Sequence, residues 1–206
     1  MTVRRAVPLV AAGLLLAACS QPVDVTQSAG TAPAGSAADP VTGSGDAPAE
    51  VQAELPPCPD SVDAAEVARG LPPIALPCLG PGDPVTLSGL RGTPSILNTW
   101  ASWCGPCRAE LPALAAFSER AGGDVEVLGL NAIDDGEAAA TLWSQLSMPF
   151  PSVVDADGAT RAPLRWIGLP VTYFVDADGV IVYRHDGAVT EADEWAALAE
   201  QHLGVS

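Results

Sequence analysis

The sequence has no lysine. Its nine basic residues are all arginines, they face 25 acids, and the formal net charge is −16 over 206 residues. No basic run exists to track a phosphate backbone, and the acidic excess repels one, which excludes a nucleic-acid partner. Aromatics are only 5% of the chain against 48% hydrophobic residues in all, so the core is built from Ala, Val, Leu and Ile. Histidine and methionine are scarce, with two of each: His185, His202, Met1 and Met148. What the chain does have is 20 Pro and 20 Gly, much of it before residue 85. The first third therefore reads as mostly not globular, and the length leaves about one domain after it.

Arg4 and Arg5 form a short positive start, and Ala6 to Ala18 follow without a charge. That stretch fits the apolar region of an export signal and falls short of the ~20 residues that span a bilayer as a helix. It ends in Leu16-Ala17-Ala18-Cys19, small residues before a cysteine, which resembles the bacterial lipobox. By that resemblance residues 1–18 are removed and Cys19 carries diacylglycerol at the mature N-terminus, two acyl chains being enough for stable anchoring. The alternatives are an ordinary secretory signal with a chance cysteine, or a twin-Arg route, which Ala6-Val7-Pro8 fits poorly. Residues 19–54 then form the anchor and a tether. From Ser20 to Glu54 the chain is rich in Ala, Gly, Ser, Thr, Pro and acids and has no aromatic, too little to offset the entropy of ordering.

Five cysteines are an odd count for an exported protein. Assigning Cys19 to lipid leaves four. Cys104 and Cys107 are too close for a long-range staple, so Cys58 and Cys78 pair as a structural disulfide within an N-terminal extension over 55–79. Such a bridge closes a loop of about 20 residues and stabilises by roughly 3 kcal/mol on the chain-entropy model. Four cysteines as zinc ligands is the other reading, against which stands the long gap between Cys78 and Cys104.

The rest, 80–206, reads as one α/β domain. Strands are expected over Ser95–Trp100, Val125–Leu130, Ser152–Val154, Val171–Val175 and Val180–Arg184, with a small hairpin over Asp83–Gly89. Helices are expected over Pro106–Ala121, with Pro112 as a kink, and over Glu137–Ser147, Arg161–Ile167 and Glu191–Leu203, the last with Thr190 as N-cap. This order implies a mixed sheet flanked by helices. Asp155-Ala-Asp-Gly158 and Asp176-Ala-Asp-Gly179 are turns; neither has the further carboxylates of a calcium loop.

Trp103-Cys104-Gly105-Pro106-Cys107 stands between a strand and a helix, the context a redox dithiol needs. Backbone N–H groups at the helix start point at the first sulfur, and the helix dipole favours its anion. The thiolate is the attacking species, so Cys104, at the exposed edge, attacks first. Cys107 shares a helix face with Leu111 and Leu114, is buried, and acts second. Glu110, three residues on, lies one turn below Cys107. It either accepts the Cys107 proton or merely offsets the helix dipole in solvent. Trp100 and Trp103 flank the site and shape the docking face; Trp143 and Trp166 belong to the core; His185 and His202 are structural or solvated.

The run from Leu97 to Pro112, Leu-Asn-Thr-Trp-Ala-Ser-Trp-Cys-Gly-Pro-Cys-Arg-Ala-Glu-Leu-Pro, resembles the TlpA/ResA/DsbE group of membrane-tethered thioredoxin-like proteins. Gly168-Leu-Pro-Val-Thr-Tyr-Phe-Val-Asp176 matches the group's second signature, and Glu137–Val154 its helix–strand insertion. The likeness covers about residues 80–203. It implies a thioredoxin-like fold, Pro170 in cis facing the dithiol, Leu169 beside it, and Glu110 as the group's thiol-tuning acid. Where thioredoxin has a buried Asp, this chain has Asn98. The resemblance further implies a lipid-anchored thiol–disulfide oxidoreductase on the extracytoplasmic face of the membrane. Its electrons would come from a membrane thiol carrier of the CcdA or DsbD type. Its targets would be disulfide-containing exported proteins, the haem-binding cysteines of apocytochrome c foremost, with no cofactor and no metal. Two other classes share these residues: a disulfide-forming oxidase, and a copper chaperone, which needs a His or Met beside the dithiol.

Overall fold

The computed structural model describes residues 49–62 and 64–205, so the expected signal, Cys19 and the tether up to residue 48 lie outside the described residues. Five strands make one sheet: β3 Ser95–Trp100, β4 Glu126–Ala132, β5 Ser152–Asp155, β6 Val171–Val175 and β7 Ile181–Asp186. Their order is β5-β4-β3-β6-β7. β3 pairs parallel with β4 and antiparallel with β6, and β4 with β5 is parallel, so the sheet is mixed as expected. Parallel neighbours need crossovers, supplied by the helices α2 Gly105–Ala121 and α3 Gly136–Gln145. A short α4, Arg161–Leu164, precedes β6, and α5, Ala192–Leu203, ends the domain.

All six residues of β3 are buried, which a strand without a charged residue permits at the centre of a covered sheet. Its alternation splits the core in two. Ile96 and Trp100 join the cluster of α2, α3 and α5 that contains Leu111, Leu114, Trp143, Phe174 and Trp195. Leu97 joins the other, with Leu76, Val85, Trp166 and Tyr173. With so few aromatics, their contacts concentrate. Trp100 stacks on Trp143 with centroids 4.4 Å apart, and Phe150 meets Trp143 edge-on at 5.3 Å. Both indoles of this stack are satisfied: Trp100 donates to Ser152 Oγ at 3.0 Å and Trp143 to the Phe150 carbonyl at 3.0 Å, whereas the buried Trp195 Nε1 has no partner.

α2 is capped at both ends. The Cys107 N–H donates to Cys104 Sγ, Pro106 sits in the first turn where a missing N–H costs nothing, and Gly122 closes the helix at φ 60°. The helix runs on through Pro112, losing only the bond to the Arg108 carbonyl. The two Asp-x-Asp-Gly segments are turns. Asp155 carboxylate oxygens accept from the Ala159 and Thr160 N–H groups, and Asp176 Oδ1 from those of Asp178 and Val180.

Four expectations are corrected. The hairpin is not contained in Asp83–Gly89: β2, Val85–Thr86, pairs with β1, Ala75–Leu76, and Leu87–Gly89 is a 3-10 turn. Leu76 and Val85 are both buried in the second cluster, and that burial selects the pairing. The tether is not structureless to its end, since α1, Ala49–Ala53, is helical and Val51 packs on the core. α5 is not capped by Thr190; Glu191 holds the N-cap position without a side-chain bond. Trp100 does not face the docking surface, because it is wholly buried on Trp143.

Residues 69–79 run along both edges of the sheet. Leu79 N–H donates to the Ser152 carbonyl and Val154 N–H to that of Pro77, while Ile181 N–H donates to the Arg69 carbonyl. Open strand edges invite pairing with other chains, and these contacts cover part of each.

Gly129 lies in β4 against the Trp100–Ser152 bond. A Cβ there would stand 2.7 Å from Ser152 Oγ and 2.9 Å from Trp100 Nε1. Gly129→Ala is therefore expected to destabilise the fold by roughly 1–3 kcal/mol through overpacking. Chemical denaturation followed by tryptophan fluorescence measures it, and an unchanged midpoint would contradict this packing.

Candidate active site

The site forms where β3 ends and α2 begins. The chain leaves Trp100, turns through Ala101–Trp103 and enters the helix at Cys104. Cys104 and Cys107 are joined in a disulfide, Cα atoms 5.3 Å apart. The Cys107 N–H points at Cys104 Sγ from 3.2 Å, which places the first sulfur in the field of the helix start. Cys107 is wholly buried and Cys104 nearly so, but Cys104 is bordered by exposed Trp103, Gly105 and Pro106. Trp103 is 63% exposed, with its indole N–H on the Ile133 carbonyl at 2.9 Å. The Leu169–Pro170 bond is cis, with Leu169 half-buried and Pro170 buried at the head of β6. Cys58 and Cys78 are bonded to each other, with Cα atoms 5.9 Å apart. The four thiols are thus taken up in two disulfides rather than one metal set.

The turn before the dithiol is fixed by a loop the sequence did not single out. Asp134, just after β4, accepts from Ser102 N–H and Ser102 Oγ and from Asn131 Nδ2. Ile133 adopts φ 51°, rare for a β-branched residue, and in that conformation its carbonyl meets Trp103. Only the next residue had a signal. Asp135, followed by Gly-Glu and an apolar run, is a good N-cap, and it caps α3 through the Ala138 N–H at 2.9 Å.

Glu110 is wholly buried, so it is not a solvated first-turn acid. Its Oε1 accepts from Asn98 Nδ2 at 3.0 Å and its Oε2 from the Val189 N–H at 3.3 Å. Burial pushes its pKa up to about 7 from 4.5, while the two donors, Asn98 first, hold it lower than burial alone would. The carboxyl therefore gains and loses a proton near neutrality, one turn from Cys107. His185 lies within β7, and His202 stacks on Tyr183 with centroids 3.7 Å apart.

A thioredoxin-like sheet presenting a C-x-x-C disulfide at a helix start defines a thiol–disulfide oxidoreductase. Comparison with known proteins narrows the class. The Redoxin family model matches residues 63–199. The thiol:disulfide interchange protein DsbE of Pseudomonas aeruginosa is 33% identical over 150 residues, covering 70% of this chain and 82% of that protein. DsbE of Escherichia coli K12 is 34% identical over 132 residues, 63% of this chain and 70% of that one. A solved secreted disulfide oxidoreductase of Mycobacterium tuberculosis, described as homologous to E. coli DsbE, superposes with a TM-score of 0.54 at 27% identity. It covers 61% of this chain and 92% of its own. The chain belongs to the Redoxin family, as a thioredoxin-like thiol–disulfide oxidoreductase of the DsbE/ResA type.

The buried carboxyl has a thermodynamic consequence. Its folded-state pKa, about 7, lies above its ordinary 4.5, so the stability linked to its proton is full below about pH 4.5 and is lost as pH rises through about 7. The full loss amounts to about 3 kcal/mol. Glu110→Gln should lack this decline, and urea denaturation between pH 4 and 8 shows the difference. Parallel pH dependences for both proteins would contradict a carboxyl that changes charge inside the fold.

Proposed function

We propose that this protein is a lipid-anchored, extracytoplasmic oxidoreductase that reduces disulfides in exported proteins, with the haem-binding cysteines of apocytochrome c as its leading target. The observation that carries the reading is the pairing of an edge cysteine with a buried cysteine backed by a buried, near-neutral carboxyl. The DsbE relatives support the class of target, and the lipobox-like Leu16–Cys19 supports the anchor.

In the reduced protein the Cys104 thiolate attacks one sulfur of the target disulfide. The target S–S bond breaks, its second sulfur leaves as thiolate, and a mixed disulfide remains on Cys104. Cys107 then passes its proton to Glu110 and attacks Cys104 Sγ. The intermolecular bond breaks, the target's first sulfur also leaves as thiolate, its two sulfurs take up protons from solvent and Glu110, and Cys104–Cys107 is oxidised by two electrons. A membrane thiol carrier of the CcdA or DsbD type restores the dithiol. Trp103, Gly105, Pro106 and Leu169 border the sulfurs and face the target, with Pro170 opposite the dithiol. Cys58–Cys78 stays closed throughout.

Cys107→Ala should accumulate mixed disulfides through Cys104, and Cys104→Ser should accumulate none. Identifying the trapped proteins tests the target, and a trap without exported disulfide proteins would refute it. Mild reduction should open Cys104–Cys107 while peptide mapping finds Cys58–Cys78 intact. The potential against glutathione should lie on the order of −200 to −270 mV, whereas a value near −120 mV would make the protein an oxidase.

A further inference from the structure

The proton chemistry assigned to Glu110 needs a carboxyl that changes charge in a place without water. Every hydrogen bond the structure gives that carboxyl is one it accepts. Asn98 Nδ2 reaches Oε1 at 3.0 Å from β3, and the Val189 N–H reaches Oε2 at 3.3 Å from the loop before α5. Two donors on a carboxylate lower its pKa; burial raises it. Of the two, only Asn98 is a side chain, and so only it is open to substitution without rebuilding the loop.

Asn98 is itself held. It is fully buried in the middle of the central strand, and its Nδ2 also donates to Thr172 Oγ1 at 2.9 Å on β6. Both amide hydrogens are committed, one to Glu110 and one to Thr172, while Asn98 Oδ1 is buried with no partner. A buried amide oxygen left unpaired costs free energy that rotating the amide toward a donor would recover. The amide instead keeps its nitrogen toward the carboxylate, which can only accept, and Thr172 Oγ1 holds the same nitrogen from β6. The groups around Glu110 on other elements are neutral: Asn98 on β3, Thr172 on β6 behind it, and the Val189 amide in the loop. Asp186 and Glu191, at the ends of that loop, are exposed, and the titratable neighbour on Glu110's own helix is Cys107.

We infer that Asn98, held in place by its bond to Thr172, is the positioning residue that keeps Glu110 ionisable at working pH. The inference rests on the reading of Glu110 as proton acceptor for Cys107, and goes beyond it by naming what poises the acid. Asn98 touches neither sulfur nor target; it acts through Glu110. Without its N–H donor, burial prevails and Glu110 holds its proton. Cys107 then lacks an acceptor at neutral pH and regains one only in alkali.

The test uses the full chain in its oxidised form, where no thiol titrates, with 13C-labelled glutamate. The Glu110 carboxyl carbon, assigned by its loss in Glu110→Gln, is followed against pH by NMR. Its midpoint should be near neutral in wild type and higher by about one to two pH units in Asn98→Leu, the range expected for losing one hydrogen bond to a charged acceptor. Thr172→Val should move it the same way by less. In the reduced protein, the pH profile of mixed-disulfide resolution should shift upward in Asn98→Leu and reach the wild-type plateau in alkali, while Glu110→Gln stays slow at every pH. A midpoint unmoved in a folded Asn98→Leu would overturn the inference. Should that variant fail to fold, an unmoved midpoint in Thr172→Val would overturn it. If Glu110→Gln resolved at the wild-type rate, the proton-acceptor reading itself would fall, whatever the NMR midpoints showed.

Discussion

The structure turns on one strand that is buried on both faces. β3 lies at the centre of the sheet with all six side chains out of water, and its last residue leads within four positions to Cys104. Alternation along it sends Ile96 and Trp100 into the layer of α2 and α5 and Leu97 into the opposite layer. Asn98 falls on the helix side. A polar side chain there must find a partner or lose on the order of 1–3 kcal/mol, and the partner it finds is the carboxylate of α2. The polar centre behind the dithiol is thus a consequence of where the strand runs.

Burying an acid opposes stability, and the fold accepts that cost beside the dithiol. In the same core Trp143 packs on both Trp100 and Phe150, and the two indole donors are paired. Trp100 of this stack ends the strand four residues before Cys104. Outside, the Ile133–Asp134 loop grips Ser102 and Trp103. The turn that leads to the dithiol is thus bonded from the side, and the buried acid lies one helical turn beyond Cys107.

The Pro-rich segment ahead of β2 lies along the edges of the five-stranded sheet and adds a two-stranded one. Its strand β1 pairs with β2, its residues 77–79 line β5, and Arg69 meets β7. The Cys58–Cys78 bridge ties this cover down, and the Cys58 N–H bonds the Pro81 carbonyl across the same turn. A sheet of five strands has two edges, and one short segment crosses near both.

Much was legible in the residues alone. The spans of β3 and β6, the start of α2 at the C-x-x-C motif, the two Asp-x-Asp-Gly turns and the pairing of Cys58 with Cys78 follow from local chemistry: apolar runs, helix caps, turn residues and parity. What the residues left open were contacts between distant parts of the chain. For Glu110 the place beneath Cys107 was the favoured reading and a solvated first-turn acid the alternative, because its spacing from Cys107 names a helix face and not what covers it. Trp100 looked like a rim residue because it stands near Cys104 in sequence, and only the arrival of Trp143 showed it to be core. Asp134, Thr172 and Val189 carried no signal, since each reaches the site through a partner more than thirty residues away. Sequence by itself determined the class of chemistry, because a dithiol at a helix start is a local device. The environment that poises the chemistry was decided by tertiary structure, because burial and hydrogen-bond partners are properties of the packed chain.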